Sequence, residues 1–172
     1  MMIRTGCVIA ALALTAACSG GATSSDPARA TAQLKRADGS AAGSAVATVV
    51  NGGLSLKVSV TDISPGPHGV HVHMTGKCDA PGFTTAGGHW NPGATQHGLE
   101  NPQGAHAGDM PNLMVGADGT GTLTYRLGSG TMDGLLDADG AAFVVHAGPD
   151  DQKTDPSGNS GDRIACGVFA AG

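Results

Sequence analysis

Aromatic residues are scarce in this chain of 172: three Phe, one Tyr and one Trp. So thin a supply, beside 29 glycines, argues against a helical bundle and for short strands with many tight turns. Basic residues are few as well, nine against fourteen acidic ones. A chain without a basic patch offers nucleic acid no electrostatic footprint, so nucleic acid is excluded as a partner. No internal repeat of solenoid type is present, and no segment carries a convincing helical period. Cysteine is limited to Cys7, Cys18, Cys78 and Cys166.

The ends of the chain decide which cysteines count. Residues 1–18, MMIRTGCVIAALALTAAC, hold one charge, Arg4, then an apolar run and small residues. That is a secretory signal, too short to span a bilayer and remain there. Leu14-Thr15-Ala16-Ala17-Cys18 resembles a bacterial lipobox, in which the cysteine is acylated and becomes the new N-terminus. Ordinary cleavage near Ala17, releasing a soluble protein, is the alternative. Either way the protein leaves the cytosol; a cell-envelope lipoprotein, membrane-anchored and periplasmic or cell-surface, is the expectation. Residues 19–29 are small and polar and form a flexible tether, leaving 30–172 as one domain with one core. Removing Arg4 leaves eight basic against fourteen acidic residues, a mature charge near −6 (8 − 14). Cys7 goes with the signal and Cys18 with the lipid, so Cys78 and Cys166 remain as a pair in an oxidising compartment, where a disulfide is expected.

Eight segments carry strand character. The cleanest is Leu54 to Val60, where Leu54, Leu56, Val58 and Val60 alternate with Ser and Lys, and Asn51-Gly52-Gly53 before it signals a hairpin. The others are Ala30–Arg36, Ser44–Val50, Val70–Met74, Asn112–Val115, Thr120–Leu127, Ala141–His146 and Arg163–Phe169. They predict an all-β fold, an eight-stranded antiparallel Greek-key β-barrel or flattened sandwich. Two loops exceed ordinary connection lengths, which in a compact domain indicates function.

The longer loop belongs to the stretch Gly66–Asp109, which holds six of the seven histidines among Gly, Pro and Asn. So polar a segment cannot build its own core and needs something to order it. In Val70-His71-Val72-His73 a strand would turn both imidazoles to one face and both valines to the other. His146 ends another strand. Three imidazoles on rigid elements suit copper, and His97, His106 and Asp109 with a fourth donor suit a closed zinc site.

GVHVH, GGHWNP, QHG, AHAGD, VVHAGPDD and GNSGDRIACGV together resemble the copper/zinc superoxide dismutases, the exported bacterial branch most closely, over Ala30 to Phe169. The resemblance implies copper held by His71, His73, His89 and His146, and zinc by His89, His97, His106 and Asp109, with His89 bridging. It implies that Asp150 hydrogen-bonds His71 and His97, that Arg163 is the active-site arginine, and that Cys78 and Cys166 form the family disulfide. The implied activity is disproportionation of superoxide to dioxygen and hydrogen peroxide by Cu(II)/Cu(I) cycling, with structural zinc, as antioxidant defence outside the cytosol. His89 would carry a proton in that cycle. His68 matches no ligand position and is expected on a loop surface. Asp162 is a candidate ion-pair partner for Arg163. A copper and zinc carrier on the same fold would need the ligands but not a substrate-binding cation, so Arg163 favours the enzyme. Oligomeric state is left open, with a homodimer among the options.

Overall fold

A computed structural model describes residues 28–172, together with Met2. The signal segment, the lipobox with Cys18 and all but the end of the tether lie outside the described residues. Nine strands form the domain: β1 (Arg29–Lys35), β2 (Ala41–Val50), β3 (Gly53–Val60), β4 (Gly66–His68), β5 (Val70–His73), β6 (Leu113–Val115), β7 (Gly121–Arg126), β8 (Ala142–His146) and β9 (Arg163–Ala171).

Local chemistry explains the longest hairpins. Alternation buries Ala30, Ala32 and Leu34 on β1 and Leu54, Leu56, Val58 and Val60 on β3, with the polar residues between them turned outward. Between β2 and β3, Asn51 and Gly52 both take positive φ, 47° and 76°, the backbone that a two-residue hairpin turn demands. Val50 pairs with Gly53 across it. With so few aromatics the core is aliphatic, built of Ala, Val and Leu around Phe143, whose ring meets Phe169 edge-on at 6.4 Å.

All nine strands belong to one antiparallel sheet in the order β4-β6-β7-β3-β2-β1-β9-β8-β5. Its two outermost strands are consecutive in the chain, separated only by Gly69, so the sheet curls until its ends nearly meet. Gly69 fastens that junction: its N–H donates to Gly148 O at 2.8 Å, and its carbonyl accepts from His146 N–H at 2.9 Å. The result is a nearly closed all-β barrel in which β5 and β8 lie side by side, Val70 opposite Val145 and His73 opposite Ala142.

Three features differ from the sequence expectation. The ninth strand, β4, is only three residues long and interrupted by proline, too short for alternation to show. Its last residue, His68, is buried rather than on a surface. The ring sits between the carbonyl oxygens of His146, 2.7 Å from Nδ1, and Ser64, 2.8 Å from Nε2. The Gly128–Gly140 connection carries one turn of helix, α1 (Met132–Leu135), whose N-terminus is capped by the Thr131 side chain accepting from Gly134 N–H.

Candidate metal centre

The two histidines of β5 lie at the wall of the barrel because Val70 and Val72 are both fully buried on its inner face. The loop after β5 then doubles back along the same strand. Trp90 N–H donates to Val72 O at 2.8 Å, Val72 N–H to Gly108 O at 3.0 Å, and Gly108 N–H to Trp90 O at 2.9 Å. Short bridges also pair His73 with His89 and His71 with Asp109. This backbone lacing delivers His89 and Asp109 to the β5 histidines, while the neighbouring β8 supplies His146 at its end.

One ring nitrogen of each imidazole is fixed by an acceptor. His71 Nε2 donates to Asp150 Oδ2 at 2.6 Å, His73 Nδ1 to Gly87 O at 2.9 Å, and His146 Nδ1 to Gly161 O at 3.1 Å. His89 Nδ1 faces Asp109 Oδ1 at 2.9 Å. The opposite nitrogens, His71 Nδ1, His73 Nε2, His89 Nε2 and His146 Nε2, are buried and have no hydrogen-bond partner. Buried polar atoms are rarely left bare. Here four imine lone pairs converge, in a group whose donor atoms lie within 4.8 Å of one another. Such a set fits a metal that favours nitrogen ligands, copper foremost.

A second cluster surrounds Asp109. Its Oδ1 lies 2.9 Å from His89 Nδ1, 3.0 Å from His97 Nδ1 and 3.3 Å from His106 Nδ1. Donor atoms of His71, His89, His97 and Asp109 lie within 4.8 Å of one another. His106 is the better fourth donor: its Nδ1 is 3.4 Å from His89 Nδ1, whereas His71 has Nε2 committed to Asp150 and Nδ1 in the first cluster. One carboxylate oxygen and three imidazole nitrogens make the N/O set of a closed tetrahedral zinc site. His89 presents Nδ1 to this cluster and Nε2 to the other, so a single imidazole faces both.

Electrostatics separate the clusters. Burial pushes His71 down to about 3, His73 to about 2 and His146 to about 4, so all three are neutral and available as donors. Burial alone would also depress His97, but its hydrogen bonds to Asp109 and Asp150 outweigh it and push it up to about 9. Asp109 and Asp150 are themselves held well below the usual carboxylate range. Burial would raise both, and the hydrogen bonds from His89 and His97, and from His71 and His97, overcome it.

Asp150 joins the two clusters from outside, with Oδ2 on His71 and Oδ1 3.0 Å from His97 Nε2. Asn112 grips its backbone at both ends, donating to Asp150 O and accepting from Asp150 N–H, each at 2.8 Å. Nothing in the sequence marks Asn112 for this, because the contact spans 38 residues. Arg163 opens β9 opposite His146. It forms no ion pair with Asp162 among the described residues: its guanidinium donates to Phe83 O at 2.8 Å and to Gly87 O at 2.7 Å. Gly87 O therefore anchors both Arg163 and His73. Arg163, His73, His89 and His146 line one open depression of ≈ 480 Å³, the mouth of the first cluster. Cys78, in the same loop, is bonded to Cys166 on β9, their Cα atoms 5.7 Å apart.

The chain is similar to known proteins in sequence and in overall fold. Residues 38–169 match the family model for copper/zinc superoxide dismutase. A Cu-Zn superoxide dismutase of Caulobacter vibrioides is 44% identical over 147 residues, 81% of this chain and 84% of that protein. Among solved structures, a superoxide dismutase-like protein from Bacillus subtilis superposes with a TM-score of 0.76 at 40% identity, covering 81% of this chain and 97% of that one. The Cu/Zn superoxide dismutase from Brucella abortus superposes with a TM-score of 0.68 at 32% identity, covering 83% of this chain and 99% of that one.

Proposed function

Because the chain belongs to the copper/zinc superoxide dismutase family, we propose that His71, His73, His89 and His146 hold its copper. On the same reading His89, His97, His106 and Asp109 hold its zinc. The protein is an oxidoreductase that disproportionates superoxide to dioxygen and hydrogen peroxide. The observation that carries the residue assignment is the convergence of four buried, unpartnered imidazole nitrogens beside the Asp109 cluster, with His89 common to both.

Copper, when bound, supplies a one-electron couple, and zinc, which has no redox chemistry, supplies fixed charge and order. The remaining work belongs to the chain. Arg163 holds a forked cation at the mouth, where it binds and orients the superoxide anion. Two backbone carbonyls fix its guanidinium, so it does not have to be ordered when substrate arrives. His89 Nε2, lining the same mouth, is the atom on which a proton is held for delivery to the departing peroxide. Asp150 keeps Nε2 of His71 and of His97 as donors, which leaves each Nδ1 free to ligate. The mature chain is acidic, so attraction of the anion comes from the local field of Arg163 and the metals, not from net charge.

The signal at 1–18 and tether at 19–29 would carry the domain 30–172 out of the cytosol, with acyl-Cys18 anchoring it to the envelope membrane. The Cys78–Cys166 bond, suited to an oxidising compartment, supports export. Cys18→Ser should then move the protein from the membrane to the soluble fraction; unchanged membrane retention would remove the lipid anchor. A homodimer remains a further reading, to be decided by the mass of the purified domain in solution.

The test of the assignment is to load the purified domain with copper and zinc, count the metals, and measure superoxide consumption in the native protein and in Arg163→Ala. One copper and one zinc per chain, with a slower variant of unchanged metal content, is the expected result. Equal rates would take Arg163 out of the mechanism, and copper-independent activity would end the metal assignment.

A further inference from the structure

Trp90 is the chain's single tryptophan and follows His89 directly. Its backbone is part of the lacing that holds the loop on β5, with N–H on Val72 O and carbonyl accepting from Gly108. Its indole, 7% exposed, packs against the Gly128–Gly140 connection, the Greek-key crossover between β7 and β8. There the six-membered ring lies against Gly130 so closely that a methyl group at that position would collide with Cζ3 and Cη2. A methyl at Gly134, on α1, would stand 3.2 Å from Cζ2. Two backbone positions without side chains thus form a notch shaped to one ring. The Thr131 cap on Gly134 N–H holds the notch rigid.

We propose that Trp90, seated in the Gly130–Gly134 notch, is the positioning residue for His89, so that the Greek-key connection sets the distance and tilt of the shared imidazole. This inference rests on the reading of His89 as the ligand common to both metals. Among the described residues one rigid aromatic, Trp90, links the loop residue that both clusters share to an element that carries none of the proposed ligands. Packed interiors transmit displacement of such a ring instead of absorbing it. Pushing the indole out of the notch must therefore move the peptide that carries His89.

The experiment is a double-mutant cycle on the copper- and zinc-loaded protein, read by the Cu(II) electron paramagnetic resonance spectrum and by the rate of zinc release to a chelator. Gly130→Ala should alter the spectrum and speed zinc release on the order of tenfold, the size of coupling expected between residues in contact. In a Trp90→Phe background, where the colliding atoms are gone, the same substitution should change neither. Gly130 has a φ of 97°, and the strain of placing alanine there is common to both backgrounds, so it cancels in the cycle. Should Gly130→Ala fail to fold, Trp90→Phe alone keeps an aromatic core residue and is expected to shift the spectrum. Equal effects of Gly130→Ala in both backgrounds, or a native spectrum in Trp90→Phe, would overturn the proposal. His89→Gln separates the two levels: an unchanged spectrum there would mean that the shared-ligand reading itself has failed.

Discussion

Asp150 divides its carboxylate between His71 and His97, and both of its oxygens accept. An amide at that position keeps one acceptor and turns an NH2 toward the other imidazole, where donor would face donor. Asp150→Asn should therefore weaken metal retention about 10–100-fold, measured by competition with a chelator, with the fold unchanged by circular dichroism. Native affinities for both metals would contradict its role. The neighbouring Asp151 offers a test of the loop that carries it. Its side chain accepts from the Thr154 hydroxyl, and from the backbone N–H of Thr154 and Lys153, which holds its carboxyl down to about 2 from an ordinary 3.8. A depressed carboxylate stabilises the fold fully above its unfolded value, and that contribution fades as pH falls from about 4 toward 2. A carboxyl 13C titration with its midpoint near 2 is expected; one near 4 would mean that this turn is not formed in solution. At this scale the grouping of the histidines with Asp109, Asp150 and Arg163 is legible, because their motifs are local in sequence. His68 and the restraint on Arg163 are not. Both depend on carbonyls 76 to 80 residues away, those of His146, Gly87 and Phe83, and backbone acceptors leave no mark in a sequence.

Strands declare themselves by period, which is why β1 and β3 were found almost to the residue while β4 was missed. A three-residue strand completes only one alternation, and β4, unlike the equally short β6, also has proline at its centre, while α1 with four residues barely completes one helical turn. The Asn51-Gly52 turn was the most explicit local signal, and it permits a clean prediction. Gly52 has a φ of 76°, and a methyl group there would meet nothing within 4 Å. Gly52→Ala therefore carries only the cost of left-handed backbone, about 1–2 kcal/mol. Urea unfolding should show a lower midpoint at unchanged slope, with superoxide consumption per copper unaffected because the turn is remote from the site. A loss of activity at full copper content would show that the β2–β3 hairpin communicates with the metals, which the packing gives no reason to expect.

The barrel closes where the chain steps from one end of its sheet to the other, at Gly69, and both histidine clusters lie at that seam. Opposite the seam, β7, β3, β2 and β1 pair side by side over a core of Ala, Val and Leu, in register but for one irregularity at Leu34–Lys35. Besides its backbone lacing to β5, the loop between β5 and β6 is restrained by the Cys78–Cys166 bond and by the metal-donor side chains from His89 to Asp109. The bond spans 88 residues, for which the chain-entropy model gives about 4–5 kcal/mol, and it persists without metal. Stripping both metals should therefore leave the barrel folded and loosen the loop. Four buried nitrogens then lack partners, and the stabilisation due to binding disappears. At metal concentrations a thousand times Kd that stabilisation is about 4 kcal/mol for each site and about 8 kcal/mol for both, or roughly 15–30 °C in Tm for a domain of this size. Calorimetry of the metal-free and reconstituted protein should show that fall, with hydrogen exchange accelerated at residues 89–109 and protection retained on β1 to β3. Equal Tm values would mean that the histidines are satisfied without metal. Exchange spread evenly over all strands would mean that the metals hold the whole barrel together and not its seam.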